Sequence, residues 1–178
     1  MIFKDEIDWY KEILEELKIV FDVGCRKDDV FYDLDASMEI HLFDPAYAPN
    51  HGMYSKIALS DTIGRHKYFP EYSSMHKRDL KGAKWKWLTH DFIWIDTDTL
   101  DNYCKRSGVS RIDLLKIDTE GNDLKVLLGA VKMLPNIKYI QFEDWSPEST
   151  REIKEILKDY EVTELGGKPM NYKAKRNE

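Results

Sequence analysis

The run from Ile112 to Ala130 constrains this chain more than any other stretch of it. Ile112-Asp113-Leu114-Leu115-Lys116-Ile117 reads as a buried strand that stops at Asp118 and Glu120, turns at Gly121, and is followed by Leu124, Leu127, Leu128 and Val131 at helical spacing. A strand, an acidic turn and a helix in that order predict one unit of an open α/β sheet. Ligands bind such sheets outside the carboxyl ends of the strands, so Asp118 and Glu120 are predicted to face a site.

The rest of the pattern agrees with that fold class. Phe3, Ile7, Tyr10, Leu14 and Leu17 recur among charged residues at intervals of four and three, which predicts an amphipathic N-terminal helix over about residues 2–17. Strands are predicted at 18–23, 39–43, 54–59, 67–69, 92–95, 112–117, 137–142 and 160–165. Helices are predicted at about 98–106, after Asn122, and from Ser146-Pro147, where a cap residue precedes a proline. After the Gly166-Gly167 turn the chain reads as a basic tail. The alternation predicts a Rossmann-like α/β fold with a largely parallel sheet and helices on both faces. With 178 residues, a single domain spanning 1–178 is expected.

Composition excludes several classes. Hydrophobic residues make up 42% and charged residues 34%, which fits a globular domain rather than a disordered chain. No apolar run reaches the roughly 20 residues of a membrane span. The acidic start, Met1-Ile2-Phe3-Lys4-Asp5-Glu6, has neither the basic end nor the apolar core of a secretory signal, and a cytoplasmic location is expected. Cys25 and Cys104 are expected to be reduced thiols. His41, His51, His66, His76 and His90 are scattered, with no metal-ligand spacing. The net charge of −6 disfavours nonspecific nucleic-acid binding. Oligomeric state is left open.

Phe21-Asp22-Val23-Gly24 ends the first strand in a way that lets a backbone approach a nucleotide ligand, and Asp44 follows Asp22 by twenty-two positions. That is close to the spacing at which an acid reaches ribose hydroxyls. Arg26 and Lys27 either offer positive charge to a ligand carboxylate or are solvated loop charges.

The central run also closely resembles the KIDxEGxExxVLxGA signature of the FkbM-type methyltransferases. Here it reads Lys116-Ile117-Asp118-Thr119-Glu120-Gly121-Asn122-Asp123, then Leu124 to Ala130, with Asp123 where the family usually has Glu. Thr99-Leu100-Asp101 resembles the family's TLD element and Ala58-Leu59-Ser60-Asp61 its ALSD element; Ser73-Ser74 stands where the family often shows serines. The resemblance implies S-adenosylmethionine as cofactor and a hydroxyl oxygen as methyl acceptor, a small molecule or glycan. It implies cofactor contacts from Asp22, Gly24 and Asp44, which match its DxGA and EP elements; Cys25, Arg26, Ser60, Asp61 and Asp118 are further candidate cofactor contacts, Asp61 either accepting from the adenine amino group or forming a turn. The family usually carries another glycine shortly after Gly24; here Cys25-Arg26-Lys27-Asp28-Asp29 has none.

Methyl transfer from a sulfonium is an in-line displacement, so the protein must hold the acceptor oxygen behind the methyl carbon and remove its proton. Asp118 and Glu120, with Glu143 and Asp144 after the next strand, are the candidate carboxylates. One of them acts as general base, or together they hold Mg²⁺, or they pair with Lys116 and cap the following helix. Lys116 itself either orients substrate or is an ion-pair partner. Between Arg65 and Lys86, seven Lys and Arg residues face two acids, interleaved with Tyr68, Phe69, Tyr72, Trp85 and Trp87, which suits an anionic or sugar-bearing acceptor or a solvated loop.

Three functions follow. The first is an S-adenosylmethionine-dependent O-methyltransferase acting on a carbohydrate or glycoconjugate hydroxyl. The second is a non-catalytic scaffold on the same fold, favoured by the absent glycine. The third, an RNA methyltransferase, rests on the basic aromatic segment alone.

Overall fold

The structure is a computed structural model that describes residues 4–26, 30–76, 91–143, 146–167 and 170–177. Its main sheet has seven strands in the order β3-β2-β1-β7-β8-β10-β9. These are β1 (Ile19–Val23), β2 (Glu39–Phe43), β3 (Met53–Ser55), β7 (Ile112–Ile117), β8 (Ile137–Glu143), β9 (Tyr160–Gly166) and β10 (Asn171–Arg176). The first five in spatial order run parallel, and β10 is antiparallel to both β8 and β9. A smaller sheet, ordered β4-β6-β5, contains β4 (Ala58–Leu59), β5 (Gly64–Tyr68) and β6 (Ile93–Asp98).

Helices cover both faces of the main sheet. Trp9, Tyr10 and Ile13 of α1 (Lys4–Ile13) and Phe31 of α2 (Val30–Leu34) pack with Val20, Leu114 and Tyr139 on one side. On the other, α3 (Leu100–Ser107), α4 (Asp123–Leu128) and α5 (Pro147–Ile156) pack on Phe21, Leu115 and Ile140. The helix ends follow local chemistry. Thr99 accepts from Asn102 N at 3.1 Å and Ser146 accepts from Ser149 N at 3.1 Å, each satisfying an amide the helix cannot.

Four expectations need correction. The predicted strand 54–59 is two strands in two sheets, because the chain turns where Ile57 N donates to Ser55 O at 2.8 Å. The basic tail is β10, whose Tyr172 and Ala174 are buried while its lysines alternate outward. The N-terminal helix ends at Ile13 and tightens into a 3-10 turn over Leu14–Glu16. Helix α4 buries Val126 and Leu127, whereas Leu128 and Val131 are 45% and 54% exposed. The helix stops at Leu128, so apolar spacing counted across its end has no helical meaning.

Candidate active site

Three parallel strands are stitched together at their carboxyl ends. Gly24 N donates to Phe43 O at 2.8 Å, and Asp118 N donates to Val23 O at 2.9 Å. Gly24 has φ +85°, and a Cβ there would lie 1.9 Å from Asp118 O. Only glycine fits where β1 turns against the end of β7. Gly129, the second glycine of the signature, has a similar reason: a Cβ would meet Ser60 O at 2.0 Å, so the end of α4 packs directly on the chain leaving β4.

Above this junction lies a cleft of about 620 Å³, open mouth included. Val23, Gly24 and Arg26 form its β1 side, Phe43, Asp44 and Pro45 its β2 side, and Asp118, Thr119, Glu120 and Asn122 the side after β7. Ala58, Leu59 and Tyr68 of the small sheet, with Ser73 and Met75, close it. Among the described residues three non-glycine residues have positive φ, Arg26 (51°), Ser73 (52°) and Glu120 (56°), and all three line this cleft. Left-handed backbone costs about 1–2 kcal/mol per residue, so the surrounding structure must hold it in place. For Glu120 one such hold is visible: buried Ser74 donates its hydroxyl to Glu120 O at 2.8 Å and accepts from His76 N.

Asp44 is 2% exposed and mostly occupied by backbone. Its Oδ1 accepts from Ala46 N and Tyr47 N, each at 2.8 Å, and its Oδ2 accepts from Arg26 N at 3.1 Å. A carboxylate offers about four acceptor sites, so one on Oδ2 is left beyond these three bonds. Beside it, burial first and the Asp44 charge second push the Tyr68 hydroxyl up to about 12. The Arg26 guanidinium lies 5.8 Å from the Tyr47 ring centroid.

Beneath the cleft a polar row crosses the sheet in register, Asp22 beside Lys116 beside Gln141. Lys116 is 2% exposed and donates to Asp22 Oδ1 at 2.8 Å; Asp118 Oδ2 is 3.9 Å away. Burial opposes the lysine's charge, but Asp22 and Asp118 outweigh it and hold its pKa well above the ordinary value. Helix α1 covers the row: Tyr10 donates to Gln141 Oε1, and Gln141 Nε2 donates to Glu6 at 2.9 Å and Asn171 at 3.1 Å.

The sequence-predicted residues therefore divide. Gly24, Arg26, Asp44, Asp118 and Glu120 meet in the cleft. Asp22 and Lys116 sit below it as a buried ion pair, and fully buried Cys25 packs into the α1–α2 core. Ser60 is also buried, and Asp61 lines a separate groove with Thr99, Asp101 and Lys132, its carboxylate accepting from the Ser60 hydroxyl at 3.1 Å. Glu143 ends β8 outside the cleft lining, and its N–H donates to Asp123 Oδ1 at 3.4 Å. Asp144, Lys27, Trp85, Trp87 and the basic residues 77–86 lie outside the described residues. Among the described residues, no group of three or more His, Cys, Asp or Glu side chains is arranged to hold a metal ion.

Sequence reasoning missed Thr119, Asn122 and Asp123. Asp123 is 2% exposed; burial raises its pKa to about 7, Asp118 adds to the rise, and the Thr119 hydroxyl, donating to Oδ2 at 2.8 Å, opposes it. The usable signal was its position in the signature, where a shorter acid replaces the usual Glu.

A family model described as the methyltransferase FkbM domain matches residues 31–162. The 2-O-methyltransferase NoeI of Sinorhizobium fredii is 24% identical over 151 residues, covering 70% of this chain and 62% of that protein, so the chain spans less than two thirds of this relative's length. Methyltransferase FkbM from Methylobacillus flagellatus KT superposes with a TM-score of 0.56 at 11% identity, over 89% of this chain and 44% of that one. A Plasmodium falciparum protein assigned as a ribosomal RNA methyltransferase superposes with a TM-score of 0.50 at 14% identity, over 96% and 93% of the two chains. At such identities these structural likenesses bear on the fold alone. The family match is broader in meaning, since it spans most of the chain and includes the cleft residues Asp44, Asp118, Glu120 and Asn122. This chain belongs to the methyltransferase FkbM domain family.

Proposed function

We propose that the protein transfers the methyl group of S-adenosylmethionine to a hydroxyl oxygen, and that the acceptor is a carbohydrate or glycoconjugate. The observation that carries this reading is the convergence of Gly24, Asp44, Asp118 and Glu120 on one cleft at the carboxyl edge of the parallel strands. The residues present fit the cofactor. Gly24 lines the cleft at the end of β1, Asp44 keeps one acceptor site for a ribose hydroxyl, and Arg26 lines the same wall for a carboxylate.

When bound, the cofactor supplies an electrophilic methyl group on a positively charged sulfur. The chain's own groups do the rest. Asp118, anchored by Lys116 and 29% exposed at its side chain, accepts the proton of the acceptor hydroxyl. Glu120, fixed by its left-handed backbone and the Ser74 bond, orients that hydroxyl. Phe43, Pro45, Ala58 and Leu59 exclude water from the opposite wall. An oxygen acceptor is supported by the relative that is a 2-O-methyltransferase. The sugar assignment rests on the family resemblance.

Isothermal titration with S-adenosylmethionine and S-adenosylhomocysteine tests the cofactor, followed by a screen of sugars with methyl-labelled S-adenosylmethionine. Stoichiometric binding and a thermal shift are expected, since ligand at about 100 times Kd adds about 2.7 kcal/mol. No heat and no shift at millimolar ligand would replace this reading with the non-catalytic scaffold.

A further inference from the structure

One polar atom in the cleft lacks a partner. Asn122 is 2% exposed and lines the cleft beside Leu59. Its Nδ2 donates to Leu59 O at 3.0 Å. A carbonyl oxygen only accepts, so this bond fixes which end of the amide is nitrogen and leaves Oδ1 as the other end. Among the described residues, Oδ1 has no hydrogen-bond partner.

Asparagine at a helix start ordinarily spends that oxygen on capping. Asn122 stands at the cap position of α4 and makes no side-chain cap bond. Burial first and the Lys125 charge second lower the His76 pKa, and the imidazole's interaction with this same side chain opposes them. A carbonyl oxygen has two lone pairs, so an acceptor site remains even with His76 nearby. A buried amide with an unused oxygen costs stability unless a donor meets it. The remaining acceptor site is open to a donor on what occupies the cleft.

The surroundings narrow its chemistry. Phe43, Pro45, Ala58 and Leu59 give this part of the cleft apolar walls, which suit a flat heteroaromatic ring better than a sugar. Ribose hydroxyls have the remaining Asp44 site, and Asp61, the acid expected to meet the base, faces another groove. We propose that Asn122 reads the exocyclic amino group of the cofactor's adenine and so selects against purines that lack it. This rests on the cofactor reading above.

The test uses titration calorimetry with S-adenosylhomocysteine and its purine-riboside analogue, in which hydrogen replaces the amino group. The parent protein is expected to bind S-adenosylhomocysteine roughly tenfold or more tightly than the analogue, because the analogue leaves Oδ1 unmet. Asn122→Leu removes the acceptor and brings the two affinities within about twofold; Asn122→Asp keeps an acceptor and keeps the preference. Equal affinities in the parent overturn the assignment whether or not any variant folds, while the methyltransferase reading stands. A preference that survives in Asn122→Leu overturns it too. If the parent binds neither ligand, the cofactor reading itself fails.

Discussion

Asparagine in place of Asp123 tests the electrostatics beneath the cleft. The carboxyl is buried, meets the Thr119 hydroxyl at 2.8 Å and the Glu143 N–H at 3.4 Å, and shares its surroundings with the Asp118 charge. Its pKa rises from the ordinary 3.8 to about 7. Between those values the folded protein holds a proton that the unfolded chain has released. Stability therefore falls as pH rises through that window, and the loss is complete above the upper value. At about 1.36 kcal/mol per unit, the full cost is on the order of 4 kcal/mol, of which about 2.5 kcal/mol falls between about pH 5 and about pH 8. Asparagine keeps the shape and a carbonyl for Thr119 but cannot ionise. Urea melts of both proteins at the two pH values measure the effect. The stability of Asp123→Asn relative to the parent should improve by about 2.5 kcal/mol from the lower pH to the higher. Any fixed cost of the asparagine cancels in that comparison. The same difference at both pH values would refute the reasoning.

Gly24→Ala should cost about 3 kcal/mol or more, read by denaturant melts or by loss of soluble protein, because the new methyl has no room beside Asp118 O and the backbone is left-handed. Lys116→Met should destabilise by about 3–5 kcal/mol, since it leaves Asp22 buried without its lysine, and adding Asp22→Asn should recover most of the loss in a double-mutant cycle. Asp44→Ala should lower stability by about 2–4 kcal/mol by freeing three backbone amides, and should weaken S-adenosylmethionine binding in the same titration used for the parent. Undiminished binding would remove Asp44 from the ribose site.

The elements that sequence reading located are those whose apolar runs are buried on both faces. Strands β1, β2, β7 and β8 carry such runs, and the Ser146-Pro147 start of α5 has its own cap chemistry. The errors arose where the decisive fact lies across strands. Asn171-Tyr172-Lys173-Ala174-Lys175-Arg176 looks like a charged tail until its register against β8 shows Tyr172 opposite Phe142, with their rings stacked at 5.2 Å. Asp22 and Lys116 flank the site in sequence, and their register makes them an ion pair under it, one of the two readings the sequence left open for Lys116. Asp61 follows Ser60 by one residue, and the packing of Gly129 on Ser60 O accompanies its turn to another groove. The acids of the signature were legible as a site because they fall at a strand's carboxyl end. Asn122 was not, because its importance lies in a bond its oxygen does not make.

The order of strands bears on how the chain comes together as it is synthesised. Among the described residues β9 pairs only with β10, and β10 fills the gap between β9 and β8, so a strand that follows β9 in sequence is an interior member of the sheet. While a nascent chain emerges, β1, β2, β7 and β8 can already assemble, but β8 keeps a bare edge and β9 has no place to dock until residues 171–176 are free of the ribosome. An unfilled edge of that kind is a template for pairing with other chains. A chain cut before residue 171 would therefore aggregate rather than work.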